Sequence, residues 1–349
     1  MTNKKNNKRT IKTGIIGSGF ASSFHFDALL KIWGIDIEII GVYSPNRKHR
    51  ESFAETRGIL SFDSVDQLIE KSDVVHICTP LSTHENLTIK TLEQNKYPIV
   101  EKPFCGFCGD GSPEFRGDIY PKTKVIDAVE ESIKRILTAE NKSSARILYA
   151  ENWIYAPSIQ KEREIIEKTK AQILWIRGEE SHSGSHSQAY GYWKYSGGGS
   201  MIGKGCHPLT AALYLKRKEG IIRNSQPIKP VSISAQTHEL TRLDNYIDKG
   251  HLRTEYHDIE DFSLMHITFD DGTIADITAS EIVMGGVHNW LEVVANNHRS
   301  VCNINPNNMM RTYNPKEDYF NDIYVVEKIG TKQGWSNPSP DEDFITGYQ

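Results

Sequence analysis

Two glycines stand where a short apolar run gives way to a helical pattern. Residues 11–16 are mostly apolar, as in a short buried strand, and Gly17 and Gly19 follow at once. From residue 24 to residue 32, apolar residues recur at spacings that fall on one helix face. A strand, a glycine turn and a helix in this order can bind a pyrophosphate. Gly17 permits the tight turn, and Gly19 lacks the Cβ that would hold the phosphates away from the backbone.

This arrangement predicts a dinucleotide cofactor at the first helical turn, which contains Phe20 and Ala21. The third glycine of the usual fingerprint is absent, because Ser22 stands at that position. A plain strand–helix turn is therefore the alternative, and the rest of the chain has to decide between the two.

The residues after the second strand bear on which dinucleotide binds. Residues 36–43 read as a strand, and dinucleotide folds usually end this strand in Asp or Glu, which binds the ribose hydroxyls of NAD. Here Ser44 stands at that position, with Arg47 and Lys48 close behind. A small hydroxyl followed by cations suits a 2′-phosphate, so the sequence predicts NAD(P) with a lean to NADP. The alternative is that both cations are solvated residues that open the next helix.

Strands and helices continue to alternate along the first 150 residues. Residues 74–78 form an almost continuous apolar run, residues 99–100 read as a short strand, and residues 122–140 form an amphipathic helix. This order predicts an α/β fold with a doubly wound parallel sheet and ligands at the carboxyl ends of its strands. The connection at residues 104–121 is long and rich in Gly, Cys, Pro and Asp, so it is either a functional loop or a disordered flap.

The pattern changes after residue 150. Apolar and polar side chains alternate in four segments, which is typical of an antiparallel or mixed sheet with one open face. These segments are residues 173–178, 231–237, 262–269 and 273–280. We therefore expect a flexible tail at residues 1–10, an NAD(P)-binding Rossmann domain at residues 11–150, and an α/β domain for substrate binding and oligomerisation at residues 151–349.

Composition and charge exclude several classes of protein. The chain has 349 residues and a net charge of −4, so no strong field attracts nucleic acid or an acidic membrane surface. No apolar run approaches the ~20 residues that span a bilayer, and no apolar segment follows the basic start as in a secretion signal. Five cysteines fit a reducing compartment, so we expect a cytoplasmic protein. Cys105 and Cys108 lack a second ligand pair nearby, and we predict no metal.

Several spaced motifs together resemble one family of oxidoreductases. The motifs are Gly17-x-Gly19 with His25 six residues on, Thr79-Pro80 with His84, Glu101-Lys102-Pro103 after a strand, a glycine-rich stretch at residues 197–207 that ends in His207, and a strand pair at residues 262–280. In this order they closely resemble the Gfo/Idh/MocA family, the relatives of glucose–fructose oxidoreductase and inositol dehydrogenase. The resemblance runs from about residue 11 to about residue 300.

The resemblance implies a Rossmann domain that carries NAD(P) and an α/β domain whose open sheet face mediates homo-oligomerisation. It also implies hydride transfer between nicotinamide and a hydroxyl or ketone of a sugar, sugar acid or cyclitol. Carried over by position, Lys102 and His207 would be catalytic. The implied cofactor contacts are Gly17, Gly19, Phe20, Ala21, Ser44, Arg47, Thr79, Pro80, His84, Glu101 and Lys102.

The chemistry of alcohol oxidation independently favours a lysine and a histidine. Hydride leaves for the nicotinamide while a proton leaves the hydroxyl oxygen, so a positioned base is required. A lysine such as Lys102 can act as that base or, as a cation, hold the alkoxide. His207 is a natural proton partner near neutral pH. The alternatives are a surface lysine in a turn and a satisfied core histidine.

Two positions near His207 depart from the family pattern. The family usually has an Asp four residues before this histidine and an acid three residues after it, whereas this chain has Gly203 and Thr210. We therefore expect the carboxylates that would orient His207 to be absent, and Lys204 places a cation in the same turn. The chain also ends without the closing helical segment typical of relatives, which indicates a missing C-terminal segment.

The missing acid at position 203 motivates one alternative to a dehydrogenase, an enzyme that retains its cofactor and uses transient oxidation, as an epimerase, lyase or glycosidase. A separate alternative is a catalytically inactive regulator that binds the cofactor.

A segment between these motifs is rich in groups that bind sugars. Residues 179–186 contain Glu, Ser and His side chains for hydroxyl groups, and residues 190–195 contain aromatic rings that pack on the C–H faces of sugars. The expected substrate contacts are Asn152, Tyr155, His182, His186, Trp193 and Lys204. The alternatives are a solvated loop and a divalent metal on Glu180, His182 and His186, although no regular spacing aligns these three.

Overall fold

The computed structural model describes residues 10–185, 187–284, 287–305, 310–323 and 332–339, and the chain divides into two compact units. Unit 1 contains the chain up to Cys108 and the segment Tyr120–Ala150. Unit 2 contains Gly109–Ile119 and the chain from Glu151 onward. The tail predicted at residues 1–10 lies, apart from Thr10, outside the described residues. The assignment of residues 11–150 to cofactor and residues 151–349 to substrate stays a prediction.

Unit 1 is a parallel sheet of six strands in the order β3-β2-β1-β4-β5-β6, and every neighbouring pair is parallel. The strands are β1 (Ile11–Ile16), β2 (Ile37–Tyr43), β3 (Leu60–Ser61), β4 (Val74–Ile77), β5 (Tyr97–Glu101) and β6 (Leu148–Ala150). The helices are α1 (Phe20–Lys31), α2 (Arg47–Arg57), α3 (Val65–Lys71), α4 (His84–Glu93) and α5 (Lys122–Lys142). This order confirms the predicted doubly wound sheet.

The neighbours Ile15 and Ile16 show why the central strands are apolar throughout. Successive side chains of a strand point to opposite faces of the sheet. Ile15 packs with Phe26 of α1 and Phe53 of α2, whereas Ile16 packs in a separate cluster with Leu68 of α3. Both faces are therefore covered, and a strand covered on both faces needs apolar side chains at every position.

Unit 2 contains a mixed sheet of eight strands in the order β14-β13-β12-β11-β7-β10-β9-β8. The strands are β7 (Ile173–Ser181), β8 (Pro230–His238), β9 (Phe262–Phe269), β10 (Ile274–Ser280), β11 (His288–Ala295), β12 (Arg299–Asn305), β13 (Met310–Asn314) and β14 (Gly334–Ser339). The helices are α6 (Pro157–Thr169), α7 (Trp193–Ser196), α8 (Ser200–Gly203) and α9 (Cys206–Asn224). Among the described strand pairs of this sheet, only β7 and β10 pair in parallel, so the prediction of a largely antiparallel sheet is confirmed.

One face of this sheet is covered by helices. Ile176 of β7 and Ile277 of β10 pack in one core with Ile165 of α6 and Leu215 of α9. The alternate residues face the other way, and Trp175 is partly exposed there. These alternating burial patterns confirm the expected open face.

The long connection at residues 104–121 is packed into unit 2 over Gly109–Ile119. The Gly117 N–H donates to Asp258 Oδ2 at 2.9 Å, and the Trp193 N–H donates to Asp258 Oδ1 at 2.7 Å. A Cβ on Gly117 would lie 2.1 Å from the Trp193 ring. This middle part is therefore a packed loop rather than a disordered flap.

Across the described residues, every helix is too short or too polar to cross a membrane.

Candidate active site

The turn after β1 has the backbone that a bound diphosphate needs. Gly17 adopts a φ of 116°, and a Cβ there would lie 2.2 Å from the Cys78 carbonyl oxygen, so only glycine fits. Gly19 caps α1 without a side-chain hydrogen bond, and no described atom lies within 4 Å of the place its Cβ would take. The first N–H groups of an α-helix, here at Phe20 and Ala21, have no partner within the helix and lie at the positive end of the helix dipole. Such a helix start next to an unobstructed glycine is a common phosphate-binding site.

Arg50, a buried arginine of α2, contacts the residue that follows β2 and was not among the expected cofactor residues. Ser44 is buried, and its carbonyl accepts a hydrogen bond from Arg50 Nη1 at 2.9 Å. Arg47, which was expected to meet a 2′-phosphate, is exposed and pairs with Glu51 at 2.7 Å one helical turn on. Arg50 is buried and Arg47 is exposed, a difference that the sequence pattern does not show.

The predicted cofactor loops after β4 and β5 are joined by one buried imidazole. His84 Nε2 lies 2.9 Å from the Thr79 carbonyl oxygen, and His84 Nδ1 lies 3.0 Å from the Pro103 carbonyl oxygen. Pro80 lies between Thr79 and the short 3-10 turn Leu81–Thr83. The Lys102–Pro103 peptide is cis, and Lys102 is half-buried. The strand tips thus present Thr79 and Lys102 on connected loops, as the parallel-sheet argument predicted.

His207 lies in the first turn of α9 and has a carboxylate partner. Its Nδ1 lies 2.6 Å from Glu151 Oε1, and Glu151 is fully buried. Trp153 stacks on the imidazole with ring centroids 6.1 Å apart. The expectation that His207 lacks an orienting carboxylate is therefore wrong, because Glu151 supplies one from a position 56 residues earlier in the chain.

Tyr190 explains why residue 203 carries no acid. A Cβ on Gly203 would lie 1.9 Å from the Tyr190 hydroxyl, which donates to the Gly199 carbonyl at 2.9 Å. A side chain at position 203 would displace this tyrosine. At position 210, the second place where the family usually has an acid, the Thr210 hydroxyl donates to the Cys206 carbonyl at 2.7 Å within α9.

The expected substrate residues have different surroundings. Lys204 is buried, and its amine lies 3.0 Å from Glu281 Oε1 and 3.1 Å from Ser185 Oγ. His182 Nε2 lies 3.5 Å from Glu180 Oε1, while Glu180 Oε2 lies 3.9 Å from His207 Nε2. The structure thus brings His182, Glu180 and His207 together.

The other expected substrate residues do not join this group by any contact described. Asn152 is buried, Tyr155 is exposed, and Trp193 packs on Gly117. His186 lies outside the described residues.

A metal site is the alternative use of the His207 surroundings. Glu151, Cys206 and His207 offer donor atoms within 4.8 Å of one another. Two ligands of a tetrahedral zinc ion are about 3.3 Å apart, given metal–ligand bonds of about 2.0–2.1 Å. The Glu151–His207 separation of 2.6 Å is shorter, and it is the distance of a charge-assisted hydrogen bond. The geometry therefore favours an orienting pair over two ligands of one ion.

Cys105 and Cys108 do not have the surroundings of reactive thiols. Burial raises the pKa of Cys108 to about 11. Burial and the nearby Glu85 carboxylate raise the pKa of Cys105. Both thiols therefore stay protonated near neutral pH, whereas the thiolate is the reactive form.

Residues 11–110 match the Gfo/Idh/MocA family model, described as an oxidoreductase family with an NAD-binding Rossmann fold. Residues 11–110 are therefore similar to the NAD-binding Rossmann domain of the Gfo/Idh/MocA family, and the match covers less than a third of the chain. The match covers Gly17, Gly19, His84 and Lys102, so the glycine turn is more than a plain strand–helix connection.

Two curated relatives are similar to part of this chain. Glucose-6-phosphate 3-dehydrogenase of Bacillus subtilis is 37% identical over 92 residues, which is 26% of each chain. UDP-N-acetylglucosamine 3-dehydrogenase of Acidithiobacillus ferrooxidans is 31% identical over 94 residues, which is 27% of this chain and 29% of the relative. The alignments thus span less than a third of each relative's length.

Solved structures extend the similarity of fold beyond residues 11–110. An NAD-binding oxidoreductase from Klebsiella pneumoniae superposes with a TM-score of 0.71 at 16% identity, covering 97% of this chain and 87% of the other. Levoglucosan dehydrogenase in complex with NADH gives a TM-score of 0.69 at 17% identity, covering 97% and 83%. At 16% and 17% identity, the similarity to these structures concerns the fold alone.

Proposed function

We propose that this protein is an NAD(P)-dependent dehydrogenase of a sugar, sugar acid or cyclitol. The observation that carries the proposal is the open first turn of α1, where Gly17 has no room for a side chain and Gly19 has room for a ligand. The family of this domain and the dehydrogenase names of the relatives support the same activity.

The dinucleotide would be held along the carboxyl edge of the parallel sheet. Its diphosphate would accept hydrogen bonds from the N–H groups at Gly19, Phe20 and Ala21. Thr79 and Pro80 after β4, His84 at the start of α4 and Glu101 at the end of β5 would shape the rest of its pocket. When bound, the nicotinamide accepts the hydride that the sugar carbon loses. A preference for NADP over NAD rests on Ser44 in place of an acid and on Arg47 leaving Glu51 for a 2′-phosphate.

The proton of the sugar hydroxyl would be handled by Lys102 and His207. Glu151 accepts the Nδ1–H of His207, so the neutral imidazole keeps an unprotonated Nε2 that can take a proton. The Glu151 carboxylate then stabilises the imidazolium that forms. The amine of Lys102 would hold the developing alkoxide or accept the proton in its place.

The substrate would contact unit 2 at the residues expected from the sequence: Asn152, Tyr155, His182, His186, Trp193 and Lys204. Of these, His182 has the most direct support, because it borders the Glu180 carboxylate beside His207. The names of the relatives, which act on glucose 6-phosphate and on UDP-N-acetylglucosamine, favour a sugar over a cyclitol.

We also propose a homo-oligomer that forms through the open face of the unit 2 sheet, in the cytoplasm. This face carries Trp175 and Trp290, whose indole N–H groups donate to Asp276 and Glu179. Such ordered aromatic side chains on an open face are typical of interfaces.

The test is turnover. Purified protein is mixed with NAD⁺ or NADP⁺ and a panel of sugars that includes D-glucose 6-phosphate and UDP-N-acetylglucosamine, and the absorbance of the reduced cofactor is followed. We expect steady accumulation with at least one sugar, and loss of accumulation in Lys102→Ala. Product formation without net reduced cofactor would contradict the dehydrogenase and favour the cofactor-retaining enzyme, which no comparison supports.

A further inference from the structure

The carboxylate of Glu101 joins two structural elements to the backbone of Lys102. Glu101 is the last residue of β5 and is buried. Its Oε1 lies 2.8 Å from Nε2 of His25, which belongs to α1. Its Oε2 accepts a hydrogen bond from the Lys102 N–H at 2.9 Å. One buried carboxylate thus bridges the cofactor-binding helix and the residue proposed to handle the proton.

A second histidine continues this chain of hydrogen bonds. His25 Nδ1 lies 2.7 Å from Nδ1 of His76, a buried residue of β4, and the two rings are nearly perpendicular. At this distance one of the two Nδ1 atoms donates a hydrogen bond to the other. Burial, and then the neighbouring His25, lower the pKa of His76 well below its usual value, so His76 stays neutral near pH 7.

The Glu101 carboxylate stays ionised within this network. Burial is the largest single influence on the Glu101 pKa, and it raises that pKa. The hydrogen bond and charge of His25 and the charge and N–H of Lys102 together outweigh it, so the pKa of Glu101 is lowered overall. The nearby Cys78 thiol stays protonated, because burial and the Glu101 charge raise its pKa. The negative charge of Glu101 is therefore compensated by His25 and Lys102.

The other side of Lys102 is also anchored. The carbonyl of Pro103, the next residue, lies 3.0 Å from the buried His84. The backbone of residues 101–103 is thus fixed before Lys102 by His25 and after it by His84. A side chain that must reach a reacting atom benefits from such anchoring, because small misplacements lower the rate strongly.

We propose that His25 and His76 are positioning residues for Lys102. His76 holds His25, His25 holds Glu101, and Glu101 holds the backbone N–H of Lys102. This inference rests on the proposed function only in that Lys102 is assigned the proton. The competing explanation is that His25 simply compensates a buried charge, with no effect on the lysine.

The structure provides a matched control for this competing explanation. In unit 2, His298 Nε2 lies 2.8 Å from Glu162 Oε1, and both side chains are fully buried. The pair has the same atoms and the same distance as His25 with Glu101. Removing either histidine leaves a buried carboxylate short of a donor, so both changes destabilise the fold. Only the His25 change should affect Lys102.

The experiment compares His25→Leu, His25→Gln and His298→Leu with the wild type. Cofactor-free protein is treated briefly with acetic anhydride, and mass spectrometry gives the acetylation rate of Lys102 relative to the exposed Lys48. We expect His25→Leu to change this ratio at least about threefold and to lower kcat about 10–100-fold, with KM for the sugar nearly constant. His25→Gln, whose amide can donate to Glu101, should recover much of both, and His298→Leu should change neither.

An unchanged labelling ratio in His25→Leu, with kcat no lower than in His298→Leu, would overturn the proposal. If His25→Leu does not fold, Glu101→Gln replaces it, because the amide keeps the shape of the side chain and removes the charge. The labelling needs no cofactor or sugar. A changed ratio in a protein whose wild type shows no turnover would therefore uphold the positioning role and refute the proposed function.

Discussion

Glu151 holds Nδ1 of His207 at 2.6 Å in a fully buried contact, with Trp153 stacked on the imidazole. This carboxylate does for the histidine what an acid at position 203 was expected to do. The Tyr190 hydroxyl occupies the space that a side chain at position 203 would need. His207 thus has a carboxylate partner although positions 203 and 210 carry no acid.

Replacing Glu151 with Gln should lower kcat about 10–100-fold. The amide cannot stabilise an imidazolium, and it permits the wrong tautomer of His207. Dinucleotide affinity, measured by titration calorimetry, should stay within about twofold, because the diphosphate is expected in unit 1. Glu162→Gln is the control, since it removes a buried charge from a His–Glu pair of the same kind. Equal losses of kcat in the two variants would argue against a specific role for Glu151.

The Gly203–Tyr190 contact predicts a coupled pair of substitutions. Gly203→Ala should destabilise the protein by about 1–3 kcal/mol, because the new Cβ would lie 1.9 Å from the Tyr190 hydroxyl. Tyr190→Leu removes that hydroxyl, so the double variant should be more stable than the sum of the single effects predicts. Urea unfolding of the four proteins gives the coupling free energy. Strict additivity would mean that the tyrosine does not occupy this space.

Gly17 and Gly19 should respond differently to alanine. Gly17→Ala should lower the free energy of unfolding by about 1–3 kcal/mol or more, because φ is 116° and the Cys78 carbonyl blocks the Cβ. Gly19→Ala should leave the free energy of unfolding nearly unchanged, because its Cβ meets nothing within 4 Å.

Dinucleotide titration is the second measurement on this pair. Gly19→Ala should lower the affinity about tenfold or more, because the methyl group would occupy the space left for the diphosphate. Wild-type affinity in a folded Gly19→Ala variant would place the ligand elsewhere.

His76 should make the stability of the protein depend on pH. Its pKa is lowered well below 6.5 in the folded state by burial and by His25, so below pH 6.5 the unfolded chain binds a proton that the folded chain does not. Stability from this group is therefore complete above about pH 6.5 and is lost as the pH falls, by at most about 1.4 kcal/mol per pH unit.

The measurement is the free energy of unfolding between pH 7.5 and pH 5, in roughly half-unit steps. His76→Gln should flatten the slope relative to the wild type. His266→Gln, which removes a half-exposed histidine, should keep it. A wild-type slope in His76→Gln would show that His76 is not the group responsible.

Local patterns were sufficient to predict much of the fold. The alternation over Phe262–Phe269 predicted β9 with its observed bounds, because one face of that strand is covered and the other is open. The order of strands and helices predicted the parallel sheet and placed Lys102 at a strand tip. Such patterns depend on near neighbours in the chain, which is why they can be read from one sequence.

Contacts between distant segments were not predictable in the same way. Glu151 and His207 are 56 residues apart, and the approach of one to the other depends on how α9 packs in unit 2. His25 was identified only as part of a motif, and its bonds to His76 and Glu101 join three separate elements. Arg47 and Arg50 are equivalent cations in the sequence, and only burial distinguishes them.

The most direct test of the central claim is calorimetric titration of the folded protein with NAD⁺, NADH, NADP⁺ and NADPH. We expect at least one of the four nucleotides to bind at one site per chain. We also expect folded Gly19→Ala to bind that nucleotide at least about tenfold more weakly. Absence of binding heat for all four nucleotides, on protein whose circular dichroism shows it folded, would contradict the account.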